Sequence, residues 1–256
     1  MTDLRSDLGL AGELARRGGL LALEHFRRGT PAAAKADGTV TSAADAAVEE
    51  LVRAVLAAER PADRVLGEEA GDAGKGARRW IIDPVDGTAQ FVRGNPNWAT
   101  LVALEDREGL AVAVIEAPAL GQTWHAVRGG GAFDAAGARL RVSHVDDLAA
   151  SCVALPDVRR LAHTPLRDAV IDVVAHAAAG VGCESFWPYV LVAAGQADLA
   201  AVPIAYPWDR APGFLLVREA GGGAAQHPFG LDADGVLLAN SEPQLQALAA
   251  RLAARA

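Results

Sequence analysis

A chain of 256 residues with 51% hydrophobic and 22% charged side chains can bury a sizeable core, as one large domain or as two halves sharing an interface. Its formal charge of −8 and pI near 5.2, with no long basic run or basic–aromatic cluster, argue against a nucleic-acid surface. No apolar run is long and clean enough to span a membrane, and Met1-Thr2-Asp3-Leu4 lacks the layout of a signal peptide, so a soluble cytoplasmic protein is expected.

Residues 4–28 are predicted helical, with Leu10, Leu14, Leu21 and Phe26 near helical spacing and Arg27-Arg28 late, where the helix dipole favours cations. Gly29-Thr30-Pro31 stops this helix. After a polar segment at 35–39, Ser42-Ala43-Ala44-Asp45 has the form of a capping box, with Asp in place of Glu or Gln, for a second helix through about Ala58. Val65-Leu66 is a short strand ending in Gly67-Glu68-Glu69, and 70–77 reads as a mobile, glycine-rich connection.

The chain is organised around Trp80-Ile81-Ile82-Asp83-Pro84-Val85-Asp86-Gly87-Thr88. Trp80 to Ile82 is the end of a buried strand. Pro84 fixes its own φ, biases Asp83 toward extended backbone and stops the ladder. Both carboxylates are thus presented at a strand's C-terminal end, where α/β folds bind ligands. Gly87 lets backbone approach a ligand, and 87–91 is expected to open a short helix whose free N–H groups face an anion. Two acids beside an anion-binding turn suggest an intervening Mg²⁺. An ordinary Asp-Pro, Asp-Gly surface turn is the plainer alternative.

Trp98–Leu104 and Leu110–Ala117 form an expected hairpin, followed by strands at 122–127 and 139–142. Gly129 to Gly131 lack the Lys-Ser/Thr ending of a P-loop and read as a turn. From Ser151 strand and helix alternate: strands at 152–155, 199–202 and 235–239, helices at 165–179, 185–194 and 209–220, and a terminal helix after Ser241-Glu242-Pro243. Cys152 and Cys183 read as buried free thiols. Two packed subdomains, 1–143 (α+β) and 144–256 (α/β), are expected. Asp209, in Trp208-Asp209-Arg210-Ala211-Pro212-Gly213, sits where an N-cap would sit. With Pro212 at N3 one usual partner of a cap is missing, which leaves the carboxylate partly available to a metal.

The stretches at 80–88 and 208–222, with Gly-Glu-Glu at 67–69 and the segment 37–45, resemble the inositol monophosphatase family of Mg²⁺-dependent, lithium-sensitive phosphatases in order and spacing. The resemblance implies an α/β fold layered α-β-α-β-α, as in the inositol monophosphatase and fructose-1,6-bisphosphatase type. It implies two or three Mg²⁺ per site. Glu68, Asp83 and the Val85 carbonyl match ligands of the first metal, and Asp83, Asp86 and Asp209 those of the second. Asp86, Gly87, Thr88 and Asp209 match substrate- and phosphate-binding positions. Asp45 and Thr88 match the pair that orients the attacking water, and Glu68 is counted with them among the catalytic residues. Paired metals neutralise phosphoryl charge and activate water, so no histidine base is required.

Around 180–187 the chain departs from the family. The Arg-Ser-x-Gly-x-Ala pattern of many inositol phosphatases is replaced by Gly180-Val181-Gly182-Cys183-Glu184-Ser185-Phe186-Trp187, and the Gly-Asp-Cys-Tyr pattern of histidinol-phosphate phosphatases is not met either. Glu184, Ser185 and Tyr206 are candidates for lining the substrate pocket. The resulting expectation is a Mg²⁺-dependent phosphomonoesterase for an inositol phosphate or related sugar phosphate, working as a homodimer. Histidinol phosphate, fructose 1,6-bisphosphate and a nucleotide 3′-phosphate are alternatives within the class. A non-catalytic phosphate- or partner-binding member is the alternative outside it, which the intact acidic set disfavours, since its mutual repulsion must be offset by cations.

Overall fold

The computed structural model describes residues 3–34, 40–231 and 233–254. Two units, 1–128 and 129–256, each pack helices on a sheet of their own. The subdomain boundary expected from the sequence lay at residue 143, whereas these units divide between 128 and 129.

In the first unit, helix α1 (Leu4–Arg28) starts at Asp3, whose carboxylate accepts from Arg5 N–H, and ends at Gly29 with φ 72°. A small antiparallel pair, β1 (Ala32–Ala34) and β2 (Val40–Ser42), leads into α2 (Ala43–Glu59). The expected capping box is present at Ser42 and Asp45. Then follow β3 (Arg64–Gly67), β4 (Gly71–Ala73), β5 (Arg79–Asp86), α3 (Thr88–Phe91), β6 (Ala99–Asp106), β7 (Gly109–Ala117) and β8 (Gln122–Val127). These strands run in the order β4-β3-β5-β6-β7-β8. Only β3 and β5 are parallel, so the C-terminal ends of these two neighbours lie side by side. The expected hairpin is β6–β7.

Apolar faces of α1 and α2 (Leu10, Leu14, Val48, Val52, Leu56) cover Trp80, Ile82, Val102, Leu104 and Val112 of the sheet. Gly18 permits this approach, because a Cβ there would lie 2.9 Å from Val48 Cγ1. Ahead of β5, Arg78 pairs with buried Asp7 at 2.8 Å and with Asp63 at 3.3 Å, and Trp80 Nε1 donates to Asp63 at 2.9 Å. Part of the connection expected to be mobile is strand β4, paired antiparallel to β3. Its three residues are too few to leave a periodic signal.

The second unit comprises β9 (Gly131–Asp134), β10 (Cys152–Pro156), α4 (Val158–Leu161), α5 (Arg167–His176), β11 (Ala179–Cys183), α6 (Trp187–Ala193), β12 (Leu199–Val202), α7 (Pro207–Glu219), β13 (Gly223–His227), β14 (Gly235–Ala239) and α8 (Glu242–Ala253). Its sheet runs β11-β10-β12-β14-β13, parallel across the first three and antiparallel at β14. Val153, Val170, Leu199, Phe229, Leu237 and Leu248 form its core.

Four expectations are corrected here. Residues 139–142 do not form a strand: Arg139 makes an isolated bridge to Phe133, and Val142 N–H donates to the Ala220 carbonyl. Strand β11 occupies residues read as the end of a helix and a loop, since Ala179-Gly180-Val181-Gly182 has little β propensity and is held by pairing to β10. Helix α7 begins at Pro207, two residues early, because proline suits a first helical position. Both cysteines are free but only partly buried. Among the described residues no helix is long and apolar enough to cross a membrane.

Candidate active site

Strand β5 delivers two acids through an irregularity. Asp83 stands opposite Leu101 and Asp86 opposite Ala99, so β5 advances three residues while β6 advances two. In a regular strand residues 83 and 86 would face opposite sides; the extra residue brings them back to one side. Pro84 sits in this bulge, where its missing N–H leaves no gap in the ladder, and its carbonyl accepts from Thr100 Oγ1 at 2.8 Å. A carboxylate oxygen of Asp83 lies within 4.8 Å of one from Asp86. Asp83 is 2% exposed.

The chain then turns at Gly87, with φ 93° and ψ 35°, a conformation that favours glycine. Its carbonyl accepts from Gln90 and Phe91 N–H, starting the single turn α3. Phe91 packs against Phe26 and Trp98, with centroids 5.4 and 5.0 Å away, and holds the turn in place. Thr88 Oγ1 lies 3.0 Å from the Val85 carbonyl and 3.2 Å from Asp45 Oδ1. Its one proton can serve one of these acceptors at a time.

Through Thr88, Asp45 ties α3 to α2. It is fully buried, and Oδ2 accepts from Ser42 N–H at 2.8 Å and from Ser42 Oγ at 2.7 Å. Burial pushes its pKa up to about 6, opposed by the Ser42 hydrogen bonds and reinforced by the charges of Glu68 and Glu69. Those glutamates follow Gly67, the last residue of β3, which pairs with Ile82 of β5. One oxygen each from Asp45, Glu68 and Glu69 fall within 4.8 Å of one another. Thr41 Oγ1 also reaches Glu69 at 3.4 Å. The first unit therefore assembles Asp45, Glu68, Glu69, Asp83, Asp86, the Val85 carbonyl and Thr88. Hard anionic oxygens gathered this closely are a donor set that fits a cation such as Mg²⁺.

In the second unit Asp209 is the third residue of α7, not its N-cap. Tyr206 is the N-cap, and its N–H donates to Asp209 Oδ2 at 2.7 Å. Pro212 is consequently inside the helix rather than in its first turn. Tyr206 stacks on Trp208 with centroids 5.3 Å apart. Strand β11 leads into Glu184 and Ser185, and the parallel β10 leads into Asp157. Asp157 (φ 44°) and Ser185 (φ 60°) are the positive-φ residues other than glycine among those described. Burial, then the charge of Asp157, raise the Glu184 pKa, while a hydrogen bond from the Asp157 backbone lowers it. Cys183 is pushed up to about 12, chiefly by burial. Pairing of β10 with β11 brings Asp157 and Glu184 together, although they lie far apart in sequence.

The inositol monophosphatase family model matches residues 3–256. The chain belongs to the inositol monophosphatase family. It is 41% identical over 231 residues to a histidinol-phosphatase of Streptomyces coelicolor, covering 87% of each chain. It is 36% identical over 208 residues to an inositol-1-monophosphatase of Rhizobium meliloti, covering 73% of this chain and 72% of that one. The solved extragenic suppressor protein suhB of Bartonella henselae superposes with a TM-score of 0.84 at 26% identity, covering 96% of this chain and 98% of the other. As a member of this family the chain is a phosphoric monoester hydrolase, and its acidic groups can hold metal.

Glu49 and Arg53 escape the sequence reading because they belong to no motif. Their one signal was the four-residue spacing from Asp45 along α2.

Proposed function

We propose that the chain is a Mg²⁺-dependent phosphatase of histidinol phosphate, one of the substrates left open by its sequence. Similarity carries this choice: the 41% match to a histidinol-phosphatase exceeds the 36% match to an inositol-1-monophosphatase and covers more of the chain. The Glu184–Asp157 pair supports it, because carboxylates suit the ammonium group of an amino-alcohol phosphate better than a neutral polyol.

In this reading Glu68, Asp83 and the Val85 carbonyl would hold one Mg²⁺, and Asp83, Asp86 and Asp209 a second. The ions would supply charge neutralisation at the phosphoryl group and a lowered pKa for bound water. The remaining work falls to the chain. Gly87 N–H and Thr88 hold the phosphate. Thr88 Oγ1, set between Asp45 Oδ1 and the Val85 carbonyl, orients the attacking water. Asp45, with a pKa of about 6, is mostly ionised at neutral pH and accepts the proton passed through that hydroxyl. A cytoplasmic homodimer completes the proposal.

The test is phosphate release from histidinol phosphate, inositol 1-phosphate, fructose 1,6-bisphosphate and adenosine 3′,5′-bisphosphate, with Mg²⁺ and with chelator. Histidinol phosphate should be turned over fastest by at least about tenfold in kcat/KM, a preference of about 1.4 kcal/mol, and only with metal. Preference for inositol 1-phosphate would transfer the assignment to that substrate. Equal rates with chelator would refute the metal-dependent site.

A further inference from the structure

Helix α2 carries Asp45, Glu49 and Arg53 at four-residue intervals, which places them on one face. Asp45 is part of the acidic site; the other two do no chemistry in the reading above. Glu49 is nevertheless 2% exposed, and both its oxygens are engaged. Oε2 accepts from Glu69 N–H at 2.7 Å; Oε1 accepts from Ala70 N–H at 3.0 Å and from Arg53 Nε at 2.7 Å. The Arg53 guanidinium continues to the carbonyls of Val65, at 3.4 Å, and Gly71. One ion pair thus grips the β3–β4 turn by two N–H groups at its tip and by a carbonyl on each flanking strand.

Gly67 completes the fit. A Cβ there would lie 2.2 Å from Glu49 Oε1, so only glycine allows the carboxylate to sit under the turn. Burying an ion pair contributes little net stability, and an apolar pair of similar size would serve a hairpin as well. Directional hydrogen bonds from the N–H groups of Glu69 and Ala70, the peptide groups that flank the Glu69 Cα, do something an apolar pair cannot. They set where Glu68 and Glu69 stand relative to Asp45, on the same helix as the clamp.

We propose that Glu49, braced by Arg53, is a positioning residue that holds the Glu68–Glu69 turn in its metal-binding geometry. The inference rests on the reading of Glu68 as a metal ligand. Partners that orient ligands typically change metal affinity by about 10–100-fold when altered.

The experiment is a calorimetric titration of the metal-free full-length chain with magnesium chloride, beside kinetics over a range of Mg²⁺ and thermal unfolding. E49Q keeps the size of the side chain but turns one acceptor into a donor facing other donors. Its Mg²⁺ dissociation constant should rise about tenfold or more, with kcat largely restored at saturating metal. G67A leaves every charge in place and pushes the Glu49 carboxylate aside; it should weaken Mg²⁺ in the same direction. If E49Q fails to fold, G67A decides. A lower melting temperature with an unchanged Mg²⁺ dissociation constant would make Glu49 merely structural and overturn the proposal. E68Q is the control: if it binds Mg²⁺ like the parent chain, the ligand assignment itself fails. Weakening by E68Q with neither E49Q nor G67A affected sinks the positioning role alone.

Discussion

In the first unit Asp45 receives two hydrogen bonds from Ser42 and has the Thr88 hydroxyl 3.2 Å from its other oxygen, and the Glu68–Glu69 turn is gripped by Glu49 and Arg53. At the strand ends of the second unit, Asp157 and Ser185 occupy left-handed backbone, and Ser185 Oγ is buried with no hydrogen-bond partner. A non-glycine residue in that region costs on the order of 1–2 kcal/mol. Like-charged acids must be held together against their repulsion, which takes many directional bonds. Loops that only have to match a substrate's shape and charge can carry strain instead. On this view the first unit supplies most of the groups proposed for the reaction, Asp209 apart, and the second discriminates between substrates.

The sharpest way to break that division is D83N. Asp83 is the buried acid assigned to both metals, so its loss should cut kcat/KM by about a thousandfold or more for every ester tested, several kcal/mol of transition-state stabilisation. Activity within tenfold of the parent chain would remove Asp83 from the site. The corresponding change in the second unit, E184Q, should act selectively. It should raise KM for histidinol phosphate about tenfold, the scale of one charge-assisted contact, and leave inositol 1-phosphate unaffected. An equal loss on both esters would show that Glu184 shapes the unit rather than reads the substrate.

The same contrast explains how much the sequence revealed. In β5, Pro84, the paired acids and Gly87 each restrict the backbone, and the capping box at Ser42 and Asp45 is equally local, but Pro84 does not stop the ladder as expected: β5 runs on to Asp86. The bulge that turns Asp83 and Asp86 to one side depends on the register with β6, which no residue of the motif specifies. Glu49 contacts backbone N–H groups, and backbone leaves no sequence signature. The Asp157–Glu184 pair arises from pairing of β10 with an alanine- and glycine-rich β11 that reads as loop. Asp209 was legible as an acid at a helix start; its place within the turn shifted because Pro207, rather than Asp209, opens the helix.

The smallest expected effect probes the burial of Asp45 beside the other acids of the first unit. Asp45 has its folded-state pKa raised to about 6, chiefly by burial and further by Glu68 and Glu69. The folded chain therefore holds this proton more tightly than the unfolded chain, whose ordinary value is 3.8. By linkage, the group's contribution to stability is present at low pH and lost as pH rises from about 4 through about 6. Metal-free protein should thus lose roughly 5 °C of melting temperature from this group on going from pH 5 to pH 7, as expected for one or two kcal/mol in a chain of this size. D45N, which carries no charge at either pH, should flatten that slope. If the slope survives D45N, the strain of holding acids together lies elsewhere, and the contrast between the two units loses its energetic basis.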